Sequence, residues 1–188
     1  VAQAGPFLFV SGVRGNTDPY TKEPAPQETS GSLKLQMHNT LLHVQHLLEQ
    51  AGAGLEHVIR FENYVRDINR QSEATQVFKD MLGDTLKATT TTIGCVLGMT
   101  GEMEVTAVAV VPGEKTEVWQ GPQSDDFPLA VKAGGFIFCS GHQGHLDKSN
   151  GQVIHGLAGD LSGQTNNALD SIDSALAHFN AGLKDIVR

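Results

Sequence analysis

Apolar residues recur along this chain with two periods, and the switches between the periods mark its elements. Phe7 and Phe9, with the aliphatic residues around them, form a short alternating run that ends at Ser11-Gly12; this is the pattern of a half-buried strand closing at a tight corner. From Leu33 the period lengthens. Leu33, Met37, Leu41, Val44 and Leu48 make one stripe opposite Lys34, His38, Gln45 and Glu49, which predicts an amphipathic helix stopped by Ala51-Gly52-Ala53-Gly54. Residues 58–65 alternate again, with Ile59, Phe61, Asn63 and Val65 on one side and Val58, Arg60, Glu62 and Tyr64 on the other. Asn69 or Ser72 is placed to cap a second helix whose stripe is Ala74, Val77, Phe78 and Met81. A β-branched run over 89–96 and an alternating run over 104–110 predict two strands joined as a hairpin across Gly98-Met99-Thr100-Gly101. The order strand, helix, strand, helix, strand, strand predicts an α+β sandwich with helices on one face of a mostly antiparallel sheet.

The first alternating stretch occurs twice. Residues 4–12 read Ala-Gly-Pro-Phe-Leu-Phe-Val-Ser-Gly and residues 133–141 read Ala-Gly-Gly-Phe-Ile-Phe-Cys-Ser-Gly. The echo continues: Gln36 and Asn39 recur as Gln164 and Asn167, and Ala53-Gly54-Leu55 as Ala181-Gly182-Leu183. This spacing, 129 residues at the strand and 128 at the helix, predicts two tandem copies of one domain. The expected division is a first domain over 1–113, an exposed connection over 114–123 and the first half of a second domain over 124–188. Arg60 aligns with Arg188, the last residue, and the chain begins at Val1, so it reads as a window cut from a longer tandem protein. Ser-Gly corners put small side chains and an approachable backbone at a strand end, so the amides of Gly12 and Gly141 are candidates to face a carbonyl or carboxylate.

Composition narrows the chemistry. The formal charge is −8, from 13 basic and 21 acidic residues, which repels a phosphate backbone and argues against nucleic acid. No apolar run reaches the length of about 18 residues that a membrane span needs. Cys95 and Cys139 sit in apolar runs without metal or redox spacing and read as buried free thiols in a reducing, cytoplasmic setting. His38, His43 and His46 share a helix without a completed ligand set and read as solvent-facing, and His142 and His145 likewise lack partners; no metal and no organic cofactor is expected. The single tryptophan, Trp119, is expected to pack the connection onto its domain.

Gly-x-Phe-x-Phe-x-Ser-Gly, the helix with Gln36 and Asn39, Ala-Gly-Ala-Gly-Leu55, the strand after Val58 and Glu104 in Met-Glu-Val-Thr-Ala-Val-Ala-Val together resemble the RidA (YjgF) family of reactive-intermediate deaminases. The resemblance implies a chorismate-mutase-like fold, a trimer or pseudo-trimer ring of subunits, and clefts between neighbours. It also implies hydrolysis of 2-imino or 2-enamino acids to 2-oxo acids and ammonia without a cofactor. In that chemistry an arginine grips the substrate carboxylate, a glutamate positions water and a tyrosine closes the site. Glu104 matches the glutamate, and Ser11, Gly12, Ser140 and Gly141 match the corner. Thr89 stands for the arginine, Thr75 for an asparagine of the second helix, and Phe127, in Asp125-Asp126-Phe127-Pro128, for the tyrosine. Lys87, two residues before Thr89, is the candidate replacement cation. Two readings stand: a divergent hydrolase or deaminase acting on a small imine, enamine or related metabolite, and a non-catalytic small-ligand-binding member or inactive half of a composite site. The ribonuclease role sometimes attached to the family fits the charge poorly.

Overall fold

The computed structural model describes residues 1–26, 29, 31–83, 86–98, 101–122 and 127–187; Met99, Thr100, Asp125, Asp126 and Arg188, named above for the turn and the alignments, and the expected boundary at 123 and 124 lie outside these. The strands are β1 (Ala2–Ala4), β2 (Phe7–Val13), β3 (Val58–Val65), β4 (Thr89–Gly94), β5 (Met103–Val110), β6 (Thr116–Trp119), β7 (Ala130–Ala133) and β8 (Phe136–Cys139). The helices are α1 (Leu33–Glu49), α2 (Gln71–Leu82) and α3 (Leu161–His178).

Helix α1 forms where the stripe predicts it, and all five stripe residues are buried. Ser32 caps it, its hydroxyl accepting from the Leu35 amide at 3.3 Å. Helix α2 buries Ala74, Val77, Phe78 and Leu82. Neither Asn69 nor Ser72 caps it. Instead, Asp67 caps the preceding 3-10 turn, Ile68–Arg70, by accepting from the Asn69 amide at 3.0 Å, and α2 continues directly from that turn. Phe61 of β3 and Phe78 of α2 meet with ring centroids 4.9 Å apart at the centre of the core.

The larger sheet has the order β1-β2-β5-β3-β4. Strand β5 is antiparallel to both β2 and β3, whereas β4 runs parallel to β3, from Arg60 opposite Thr89 to Val65 opposite Gly94. The expected hairpin between β4 and β5 is therefore absent, because β3 lies between them. The chain leaving β4 passes across the end of β3, where the Cys95 amide donates to the Val65 carbonyl and the Arg66 amide to the Glu102 carbonyl, each at 2.9 Å. The Arg66 guanidinium holds the crossing by donating to the Leu97 and Gly101 carbonyls at 2.7–3.2 Å. A bulge between Val58 and Arg60 also exchanges the expected faces of two residues. Val58 joins the helix-facing core with Phe61 and Val65, while Ile59 turns to the opposite face.

A second, antiparallel sheet has the order β6-β7-β8, so the stretch expected to be an irregular connection contains a strand. Trp119, on β6, stacks on His178 of α3 at 5.1 Å and 16°. This sheet covers the helix-free face of the first one. Phe7, Ile59 and Val110 pack there against Val131 and Ala133, and the Phe7 ring meets Phe136 and Phe138 edge-on at 5.8 and 5.6 Å. The two alternating stretches that echo each other in sequence thus meet face to face. Their loops also share a contact: Asn39 donates to the Gly15 carbonyl at 3.3 Å and Asn167 to the Gly144 carbonyl at 2.9 Å.

Two readings of single residues change. His43 is buried, its Nε2 donating to the Thr17 carbonyl at 2.7 Å, which ties the loop before α1 to the helix. Cys95 and Cys139 are only partly buried. Among the described residues, no helix is long and apolar enough to cross a membrane.

Candidate functional site

Where the second sheet docks on β4, a cleft of about 850 Å³ opens between that sheet's loops and the α2–β4 edge. One wall is the exposed flank of α2, with Thr75 and Lys79 one turn apart, followed by Thr90, Thr91 and Thr92 of β4. The other wall comes from Phe127 and from the corner and loop after β8, including Gly141 and His142. Phe127 is fixed by its ring, which stands perpendicular to Phe78 at 5.6 Å, so the cleft floor is continuous with the first core.

The corner after β8 acts as a clamp. Ser140 is buried; its hydroxyl accepts from the Thr90 amide at 2.9 Å and donates to the Pro128 carbonyl at 2.6 Å. The Gly141 amide donates to the Thr90 carbonyl at 3.0 Å. That amide, expected to face a ligand, is therefore engaged with the edge of β4. A Cβ on Gly141 would lie 3.0 Å from the Thr91 methyl, so glycine lets the loop approach this closely.

The expected site residues fall at two places. Thr75, Phe127 and Gly141 line the cleft, and Ser140 anchors its wall. Thr89 is fully buried, with its hydroxyl donating to the Ile59 carbonyl at 3.1 Å, and it does not line the cleft. Lys87 is exposed and precedes β4. Ser11, Gly12 and Glu104 lie on β2 and β5, and β2 stands three strands from β4, roughly 14 Å away at normal sheet spacing. Glu104 there accepts from Arg14 Nε at 2.7 Å, and a Cβ on Gly12 would fall 2.1 Å from a Glu104 oxygen. The glycine is thus needed to seat the carboxylate.

Sequence reasoning did not single out Lys79 or Thr91, and it weighed His142 only as a metal ligand. Lys79 was legible as the residue four positions after Thr75 on the same helix; His142 required knowing that the residue after Gly141 turns into the cleft. Among the described residues, three buried side-chain polar atoms have no hydrogen-bond partner: Thr90 Oγ1, His142 Nε2 and Asn63 Oδ1. The first two belong to residues of the cleft wall. Burial alone pushes the His142 imidazole below its ordinary pKa, which keeps the ring neutral near pH 7. No group of three His, Cys, Asp or Glu residues suited to a metal ion occurs among the described residues. The described residues of the cleft wall include one ammonium, Lys79, amid threonine, serine and glutamine side chains.

The sequence profile of endoribonuclease L-PSP matches residues 1–111. The chain belongs to the endoribonuclease L-PSP family. Two curated relatives from this RidA/YjgF grouping are RutC family proteins: one of Pyrococcus abyssi, 29% identical, and one of Pyrococcus horikoshii, 31% identical, each over 86 residues. The matched segment is 46% of this chain and 64% of each relative's length. Solved structures of the family share its fold. RidA from the Antarctic bacterium Psychrobacter sp. PAMC 21119 superposes with a TM-score of 0.51 at 22% identity, covering 58% of this chain and 85% of that one. E. coli TdcF, solved with bound serine, gives 0.51 at 20% identity, covering 58% and 84%. Residues 1–111 thus carry the L-PSP fold, and the cleft lies where the second sheet meets its β4 edge.

Proposed function

We propose that this L-PSP family member hydrolyses a small imine or enamine bearing a carboxylate, in the cleft between its two units. The observation that carries this reading is convergence: Thr75, Phe127 and Gly141, distant in sequence and named from it, line one cavity together with a cation. Lys79 takes the substrate carboxylate in place of the family's arginine, as a single ammonium rather than a two-pronged fork. Thr75 and Thr91 orient the imine by their hydroxyls, and Phe127 shields it from water. The units are tandem copies, and the corner of Ser11, Gly12 and Glu104 is the matching half of a second site, completed when another α2–β4 edge docks against it in a ring. An RNA substrate fits poorly, because one lysine in the cleft does not offset a net charge of −8.

The alternative is a ligand-binding member without turnover, favoured by the engagement of the Gly141 amide and Ser140 hydroxyl in the clamp. The deciding experiment generates 2-imino acids in situ with an amino-acid oxidase and follows release of 2-oxo acid. Hydrolysis above the buffer rate is expected, with KM rising roughly tenfold in Lys79→Ala, about 1.4 kcal/mol of lost binding at a partly solvated site. Calorimetric binding of pyruvate without any acceleration of hydrolysis points to the second reading.

A further inference from the structure

We propose that His142 is the proton-transfer residue of the interunit cleft, a role the family pattern gives to a carboxylate; this rests on the hydrolytic reading above. The ring forms part of the wall between the cleft and an adjoining apolar cavity of about 260 Å³ that Trp119 and Leu129 also line. Its Nε2 is closed off from solvent and has no partner in the protein; rotation of the ring about its Cβ–Cγ bond is what brings this nitrogen to a water in the cleft. Thr90, whose hydroxyl is the other unpartnered polar atom of this wall, stands on the facing strand. Among the described residues of the cleft wall, His142 is the one histidine, and Glu104, on β5 two strands from β4, is held by Arg14.

The surroundings suit a base. The charged side chains lining the two cavities beside the ring are Lys79 of α2 in the cleft and Lys148 in the smaller one, and burial of the ring opposes the imidazolium form. Neutral His142 takes a proton from water as the water oxygen bonds to the imine carbon, and the C=N electron pair moves to nitrogen, which receives that proton. In the second half, His142 takes the hydroxyl proton of the carbinolamine and returns it to nitrogen. The C–N bond breaks, ammonia leaves with the bonding pair and the carbonyl forms. The sum is imine plus water giving 2-oxo acid plus ammonia, with the imidazole regenerated and no oxidant or reductant required.

The test uses the whole chain and 2-imino acids generated in situ. His142→Gln should lower kcat by about 100-fold or more, the usual contribution of a positioned acid–base group, with KM little changed. The wild-type rate should fall in acid with a midpoint below the ordinary histidine value of about 6.5, and the variant should lose that limb. Added imidazole should restore part of the rate of His142→Ala, which separates a chemical role from a folding defect. A His142→Gln protein that keeps the wild-type rate and acid limb overturns the role of His142 while leaving the hydrolase reading intact. A wild-type protein no faster than buffer overturns the hydrolase reading and this role with it.

Discussion

Thr89 shows how a residue can align with a functional position and do something else. The family resemblance puts it where the arginine is expected, but its side chain is fully enclosed and its hydroxyl donates to the Ile59 carbonyl. That carbonyl belongs to the bulged residue of β3, whose backbone leaves the regular ladder between Val58 and Arg60. The threonine therefore serves the bulge. Thr89→Val keeps the shape and removes one neutral hydrogen bond, so it should lower unfolding free energy by about 1 kcal/mol and leave ligand affinity in the cleft unchanged. Thr89→Arg should fail to create a carboxylate grip; it buries a guanidinium without a partner and should destabilise by several kcal/mol. Urea melts and pyruvate titrations of both variants check this, and a Thr89→Arg protein with native stability and tighter binding would return Thr89 to the site.

At the scale of elements, the helices and most strands were legible because each carries its own period. The α1 stripe is buried residue for residue, and β3 has the bounds its alternation predicts. Pairing was less legible. Two adjacent strand-like runs with a glycine between them read as a hairpin, yet nothing local says that a third strand will lie between them. What decides it is Arg66, one residue past β3, whose guanidinium gathers the Leu97 and Gly101 carbonyls as the chain crosses over the strand end. It also lies 3.6 Å from the Glu102 carboxylate. Hydrogen bonds from a charged donor are worth roughly 1.5–3 kcal/mol, so Arg66→Ala should destabilise the protein by about that much, and amides of β4 should exchange faster than those of β2. Equal protection of β2 and β4 in the variant would mean that the crossing is held by the backbone bonds alone. The bulge that turns Ile59 outward was equally hidden, since the residues 58–61 are all compatible with either face.

At the scale of the whole molecule, the sequence held the echo between residues 4–12 and 133–141 but not the way one stretch sits on the other. The same Phe-x-Phe pattern that marks the strands also forms the joint, with Phe7 between Phe136 and Phe138. Ser140 and Gly141 add two hydrogen bonds to Thr90 at the neighbouring edge, and the Ser140 hydroxyl donates a third to Pro128 on its own side. Magnitudes separate these contributions. Ser140→Ala leaves a buried amide and carbonyl short of a partner, a cost of about 1–3 kcal/mol, whereas truncating the enclosed Phe7 ring costs about 3–5 kcal/mol. The aromatic joint should therefore govern docking and the clamp should set its register. Followed by hydrogen exchange, Phe7→Ala should raise opening of the β7–β8 amides by roughly a hundredfold or more, Ser140→Ala by nearer tenfold, at about 1.4 kcal/mol per factor of ten, with α1 still protected in both. Because the cleft exists only while the second sheet is docked, Phe7→Ala should also weaken pyruvate binding although Phe7 lines no part of it. If the α1 amides accelerate as much as those of β7 and β8, the two sheets open as one cooperative unit, and the cleft cannot be lost without unfolding the core.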